Sequence, residues 1–192
     1  MFHAASFLLY IVINAYTPGP NNILSMSNAA RCGLRKAFPF NLGIFSGLLI
    51  MMLLCALFSA ALYTLTPQIA LPMKFAGAAY MLYLAYKIYR NAVQVTDEGQ
   101  HASFVSGMLL QFVNAKIIIY GVTAMSVYVA PYFSNPPTLA AFALGLALVC
   151  FSANMSWAVF GALFFKLFTQ RQKLINSIMA LLLVYCAVSL FL

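Results

Sequence analysis

The stretch Leu8-Leu9-Tyr10-Ile11-Val12-Ile13-Asn14-Ala15-Tyr16-Thr17-Pro18-Gly19-Pro20-Asn21-Asn22-Ile23 decides how this chain is read. An apolar run is interrupted by two prolines around a glycine and then continues to Ala30. Pro18 and Pro20 lack the amides that would bond the carbonyls of Asn14 and Tyr16, and Gly19 permits backbone angles closed to other residues. A helix breaks there. Lipid cannot satisfy the released carbonyls, so the break must be buried in protein or line a watery cavity. A half-helix restarting at Pro20 offers unpaired amides and the positive end of its dipole, with proline suited to the first turn. The ligand this suits is a carboxylate; the bland alternative is a proline kink that only shapes packing.

Composition puts that stretch in a bilayer. Of 192 residues, 65% are hydrophobic and 6% charged, with a mean hydropathy of +0.96. A soluble domain has roughly 45–50% apolar and about 25% charged residues, so this chain cannot cover a water-facing surface. Its apolar segments exceed the roughly 20 residues that cross a hydrocarbon core as helix. The fold class is therefore all-α and polytopic, with the lipid bilayer as partner. The net charge of +8 is spread between apolar blocks instead of lining one face, which is a topology signal and not a nucleic-acid surface. Cys32, Cys55, Cys150 and Cys186 lie too far apart for a CxxC metal pattern or a disulfide framework and read as small apolar residues. No Lys or Arg precedes the first apolar run, so that run is taken as a permanent helix and not a signal peptide.

Apolar length set against charge places six spans, at about Phe2–Ala30, Phe38–Tyr63, Gln68–Tyr89, Phe104–Ala130, Pro137–Phe168 and Lys173–Leu192. Arg31, Arg35, Lys36, Lys87, Arg90, Lys166, Arg171 and Lys173 flank the odd gaps, whereas the even gaps carry only Lys74. The positive-inside rule then puts the odd gaps in the cytoplasm and both termini outside. The chain reads as a single transmembrane domain over 1–192, with a first three-helix half at 1–91, a cytoplasmic loop at 92–103 and a second half at 104–192. The two halves have inverted topology. Secondary transporters are often built this way, with substrate held near the midplane on interrupted helices from corresponding positions.

The first helix of the second half carries Gln111-Phe112-Val113-Asn114-Ala115-Lys116. Lys116 is the only charge well inside a predicted span, where an ionised side chain costs at least about 2.5 kcal/mol. No Asp or Glu lies in any predicted span, so its partner must be backbone carbonyls, side-chain amides, water or an incoming anion. The alternative is a lysine that snorkels to the cytoplasmic interface. Asn41, Asn154 and Trp157 are second-rank polar candidates, more often interhelical hydrogen bonds than ligands. His3 is terminal, and His101 sits in a polar segment with Asp97 and Glu98. No catalytic set, Walker loop or metal-ligating motif is present, so no enzyme activity, cofactor or metal is expected. The small-residue patch Gly43 to Gly47 suits helix packing within one chain or between chains, which leaves a homo-oligomer open.

Ala15 to Asn22, Gly77-Ala78-Ala79-Tyr80, Gln111 to Ala124 and Leu181 to Val188 together resemble the LysE/RhtB superfamily of bacterial amino-acid exporters over nearly the whole chain. Many members have proline between the Asn and Lys of the fourth helix, where this chain has Ala115, so a second proline-made break is not expected here. The resemblance implies a secondary transporter that exports small neutral amino acids, cysteine and O-acetylserine, by alternating access. The substrate-binding set is then Asn14, Tyr16, Thr17, Pro18, Gly19, Pro20, Asn21, Asn22, Gln111, Asn114 and Lys116. In that reading Lys116 and the amides near Asn21 and Asn22 hold the substrate carboxylate, and carbonyls freed near Asn14 and Tyr16 receive its ammonium. A passive channel for small zwitterions and a noncatalytic membrane assembly subunit are the competing readings.

Overall fold

In the computed structural model, residues 4–58, 72, 75, 78–90, 103–164 and 171–189 are described, and among them the chain is helical with no strand. Helix α1 covers Ala4–Tyr16, α2 Pro20–Leu57, α3 residues 78–90, α4 Phe104–Val113, α5 Ala115–Thr123, α6 Pro136–Leu163 and α7 Gln172–Ser189. A π-helical segment, Ala124–Val129, continues α5. Lys74, Gly77, Asp97, Glu98, His3, His101 and Lys166, all weighed above, lie outside the described residues.

At about 1.5 Å per residue α2 would run roughly 57 Å, far beyond a hydrocarbon core of about 30 Å. It is in fact two helical runs joined at Gly33, whose φ of 77° and ψ of 163° are non-helical. That φ lies in the region where only glycine is unstrained. Arg31, Arg35 and Lys36 bracket the joint, so the first predicted gap is real as a bend but holds no loop. α2 and α6 are long and apolar enough to cross a membrane, and Phe104–Val113 with Ala115–Val129, bent by 65°, forms a third such unit. α1 and the Asn176–Val188 part of α7 are apolar but shorter.

Helices approach closely where side chains vanish. A Cβ added at Gly43 would overlap the carbonyl of Phe104, and one at Gly107 would overlap the carbonyl of Phe40. Gly47 similarly faces Met108 and Gln111, and Gly161 faces the backbone of Met26. Without a hydrophobic force between helices in lipid, such backbone proximity is what packs them. The patch at Gly43 to Gly47 is therefore used inside the chain, against α4. Around it, Phe40, Ile44, Leu48 and Met52 from α2 join Leu110, Ile117, Tyr120 and Met125 in the main buried cluster, which α6 closes with Ala143, Leu146, Ala147, Cys150 and Ala153. Tyr10 of α1 stacks on Tyr120 and Tyr128, with ring centroids 6.0 and 5.3 Å apart, and so docks α1 on the α5 and π-helical segment.

Candidate functional site

The chain stops being helical after Tyr16 and resumes at Pro20, leaving Thr17, Pro18 and Gly19 between α1 and α2. A second interruption lies at Asn114, where φ −86° and ψ 94° are extended and separate α4 from α5. A proline-made break was not expected with Ala115, and the break here is made otherwise. No proline is needed, because Asn114 turns its carbonyl to the amides of Ile117 and Ile118 (2.9 and 3.1 Å) and its side chain to α2. The two interruptions face each other.

Between them runs a buried amide network. Asn21 Nδ2 donates to Gln111 Oε1 (2.8 Å), while Asn21 Oδ1 accepts from Gln111 Nε2 (3.2 Å) and Asn114 Nδ2 (3.0 Å). Gln111 Nε2 also reaches the carbonyl of Gly107 at 2.9 Å. Asn22 Nδ2 donates to the carbonyls of Ala15 and Thr17, both at 2.9 Å, and thus covers carbonyls that the break strips of helical partners. Asn21, Asn22, Gln111 and Asn114 are each at most 5% exposed, as buried polar groups in lipid must be if they are paired.

Lys116 Nζ crosses from α5 to the first break. It donates to the Thr17 carbonyl (2.9 Å), the Thr17 hydroxyl (3.0 Å) and the Pro18 carbonyl (3.3 Å). Its compensation is therefore backbone and hydroxyl oxygen. Gly19 makes room for it, since an added Cβ would lie 3.0 Å from Lys116 Cδ and 3.1 Å from Nζ. The φ of −168° at Gly19 is open to any residue, so glycine is required here for space and not for backbone freedom.

The other released carbonyls are paired internally. The Asn14 carbonyl accepts from the Thr17 hydroxyl at 3.1 Å, and the Tyr16 carbonyl from Trp157 Nε1 at 3.2 Å. The oxygens that hold the Lys116 ammonium are those of Thr17 and Pro18, next to the Asn14 and Tyr16 carbonyls. Asn14 Nδ2 bonds back to the Tyr10 carbonyl at 2.9 Å, and Tyr16 Oη lies 3.1 Å from Ser152 Oγ. Pro20 opens α2, and no side chain caps that end. All eleven residues of the substrate-binding set expected from the sequence lie along the two interruptions and the helix ends beside them.

A cavity of about 20 Å³, room for roughly one water, lies at the junction. Asn14, Gly19, Pro20, Asn21, Asn22, Asn114 and Lys116 line it, and so do residues the sequence did not single out: Ile117, Tyr120 and Cys150. Asn154, ranked second, also lines it, whereas Asn41 bonds locally to the Ala37 carbonyl at 3.0 Å and lies elsewhere. Cys186 is another omission, its thiol donating to the Pro18 carbonyl at 3.1 Å. A thiol in an apolar run gives no warning of that contact.

The class of protein is given by the comparisons. Residues 12–192 match the LysE type translocator family, and the chain belongs to it. It is a multi-pass membrane transporter and not an enzyme. It is 42% identical over 190 residues to the cysteine/O-acetylserine efflux protein of Escherichia coli (strain K12), covering 97% of this chain and 96% of that protein. The protein of the same name from Shigella flexneri is equally similar, and that of Escherichia coli O139:H28 (strain E24377A / ETEC) is 41% identical over the same length. No solved structure matches the chain.

Proposed function

We propose that this chain exports small neutral amino acids, cysteine and O-acetylserine, across the bacterial inner membrane by alternating access. The observation that carries the mechanism is the Lys116 ammonium on the carbonyls of Thr17 and Pro18, where two helix breaks meet. An α-ammonium has the same charge and donors as the lysine head. Arriving substrate takes the Thr17 and Pro18 oxygens, and the displaced Lys116 turns to the substrate carboxylate. The uncapped start of α2 at Asn21 and Asn22 adds the positive end of a helix dipole. Asn22 keeps Thr17 covered during the exchange, and Gln111 and Asn114 hold the start of α2 against α4. The relatives' shared name supports the cargo, and the family supports outward flux.

The six spans, read as inverted halves at 1–91 and 104–192 joined by 92–103, with both termini periplasmic, supply the motion: opposed movement of the halves exposes the junction first inside, then outside. Counterflow tests the reading. Purified protein in proteoliposomes preloaded with unlabelled cysteine or O-acetylserine should transiently accumulate the labelled amino acid. Flux that never overshoots equilibrium would mark a channel, and no flux would mark an assembly subunit.

A further inference from the structure

Three residues that line the junction cavity each carry a buried polar atom without a well-formed hydrogen bond among the described residues: Asn114 Oδ1, Asn154 Nδ2 and Tyr120 Oη, which has only the weakly accepting Cys150 sulfur near it. Their residues are 1%, 2% and 2% exposed. Most buried polar side-chain atoms in native proteins are satisfied, and an orphan in hydrocarbon has no water to fall back on. Three on one cavity, drawn from α4–α5 and from α6, form a set: one acceptor, one donor and a hydroxyl that does both. None of the three binds the Lys116 ammonium, which is held by Thr17 and Pro18.

The geometry points to a side-chain subsite at Asn114, Tyr120 and Asn154 that selects amino acids whose short side chain ends in a hydrogen-bonding group. This rests on the transport reading above and extends it from the amino-acid backbone to the side chain. With the α-ammonium on Thr17 and Pro18, a side chain of one or two carbons enters the cavity beside Cys150. A thiol or hydroxyl there donates to Asn114 Oδ1, and its sulfur or oxygen accepts from Tyr120 Oη or Asn154 Nδ2; the longer ester of O-acetylserine reaches the same two donors with its carbonyl oxygen. Lys116 is among the residues lining the cavity, so in this proposal the turn of its head to the substrate carboxylate makes the extra room. An aliphatic side chain of equal size fits but leaves the three atoms unpaired, and a site of that kind rejects the analogue that lacks the bonding group far more strongly than an apolar pocket rejects a missing methylene.

The test is a ratio, which cancels differences in expression and insertion. Counterflow of cysteine and of 2-aminobutyrate, its methyl-for-thiol isostere, is measured under reducing conditions for the parent protein, Tyr120→Phe and Asn154→Leu. The parent should favour cysteine by roughly tenfold or more, and each variant should bring the ratio several-fold closer to one. Unchanged ratios in both variants would overturn the subsite while leaving transport standing. An arm without variants guards against misfolding: the purified parent should be thermally stabilised by cysteine and much less by 2-aminobutyrate, and equal stabilisation refutes the proposal. Absence of counterflow by the parent with any amino acid refutes the transport reading itself.

Discussion

The two helix breaks at the heart of the molecule are made by different means. Between α1 and α2 the interruption is written into covalent chemistry, because Pro18 and Pro20 have no amide to give and three residues leave the helix. Between α4 and α5 a single residue leaves it, Asn114, and what holds it out is a side-chain bond to Asn21, 93 positions away. The first break persists wherever the segment is placed. The second exists because the first is beside it. Corresponding helices can thus reach similar shapes by local encoding in one and by tertiary contact in the other.

The largest effect should come from the side chain that joins the two. Lys116→Met removes the charge that couples α5 to the first break, while Thr17 and Pro18 keep Asn22 and Cys186 as partners for their carbonyls. Counterflow should fall by roughly thirtyfold or more, since a charged hydrogen bond contributes about 2 kcal/mol. Melting temperature should hold or rise, because an ion costly in lipid is gone. Lys116→Arg should restore only part of the rate, as a planar guanidinium does not match an ammonium on two carbonyls. Retained substrate affinity in the methionine variant, read by thermal stabilisation, would sever the proposed link.

Next in size is the contrast between the breaks themselves. Pro18→Ala with Pro20→Ala returns two amides and favours continuous helix. Transport should drop about tenfold or more with insertion largely intact, because the Thr17 and Pro18 oxygens would turn back into helical bonds. Asn114→Ala should cost less, a few-fold in counterflow, because Gln111 still pairs with Asn21. If the asparagine variant proved the more damaging, the ranking of local over tertiary encoding would be reversed.

Gly19→Ala sharpens the comparison at smallest scale. Its backbone suits alanine, so expression and melting should barely change. The methyl would sit 3.0 Å from the flexible Lys116 stem, which can shift by a few tenths of an ångström. Transport assays should show a loss of about two- to fivefold, on the order of 0.5–1 kcal/mol for a misplaced ammonium. A loss of folding would show instead that glycine is needed for the backbone.

These contrasts mirror what could be read in the sequence. The Thr17–Pro20 signal was legible because proline's missing amide acts at any location, and Lys116 because a charge without a carboxylate in any predicted span demands explanation. The charge cluster at Arg31, Arg35 and Lys36 marked a change of direction, yet the chain makes it at Gly33 without leaving the helix for a loop. Asn114's break was missed because no residue on its own helix forces it. Tyr120 and Cys150 were overlooked since an aromatic or a thiol among aliphatics looks like core, and both are indeed buried; only the fold turns them toward a cavity. That side chains, those of Thr17 and Trp157, pair with the carbonyls of Asn14 and Tyr16 could not be read from helical spacing alone.

The position of the Lys116 head bears on how well an unloaded molecule insulates the membrane. Bare carbonyl oxygens at a helix break are good ligands for alkali ions, and an empty pocket of them would be a stepping stone for leakage. Here that stone is already occupied by a tethered cation. A second unit charge brought within about 4 Å would meet roughly 4 kcal/mol of repulsion at an effective dielectric of about 20, which lowers its occupancy close to a thousandfold. In the proposed cycle a visiting zwitterion escapes the penalty because it carries its own anion to meet the lysine, so sodium, potassium and hydronium would be turned away by the same group that admits an amino acid.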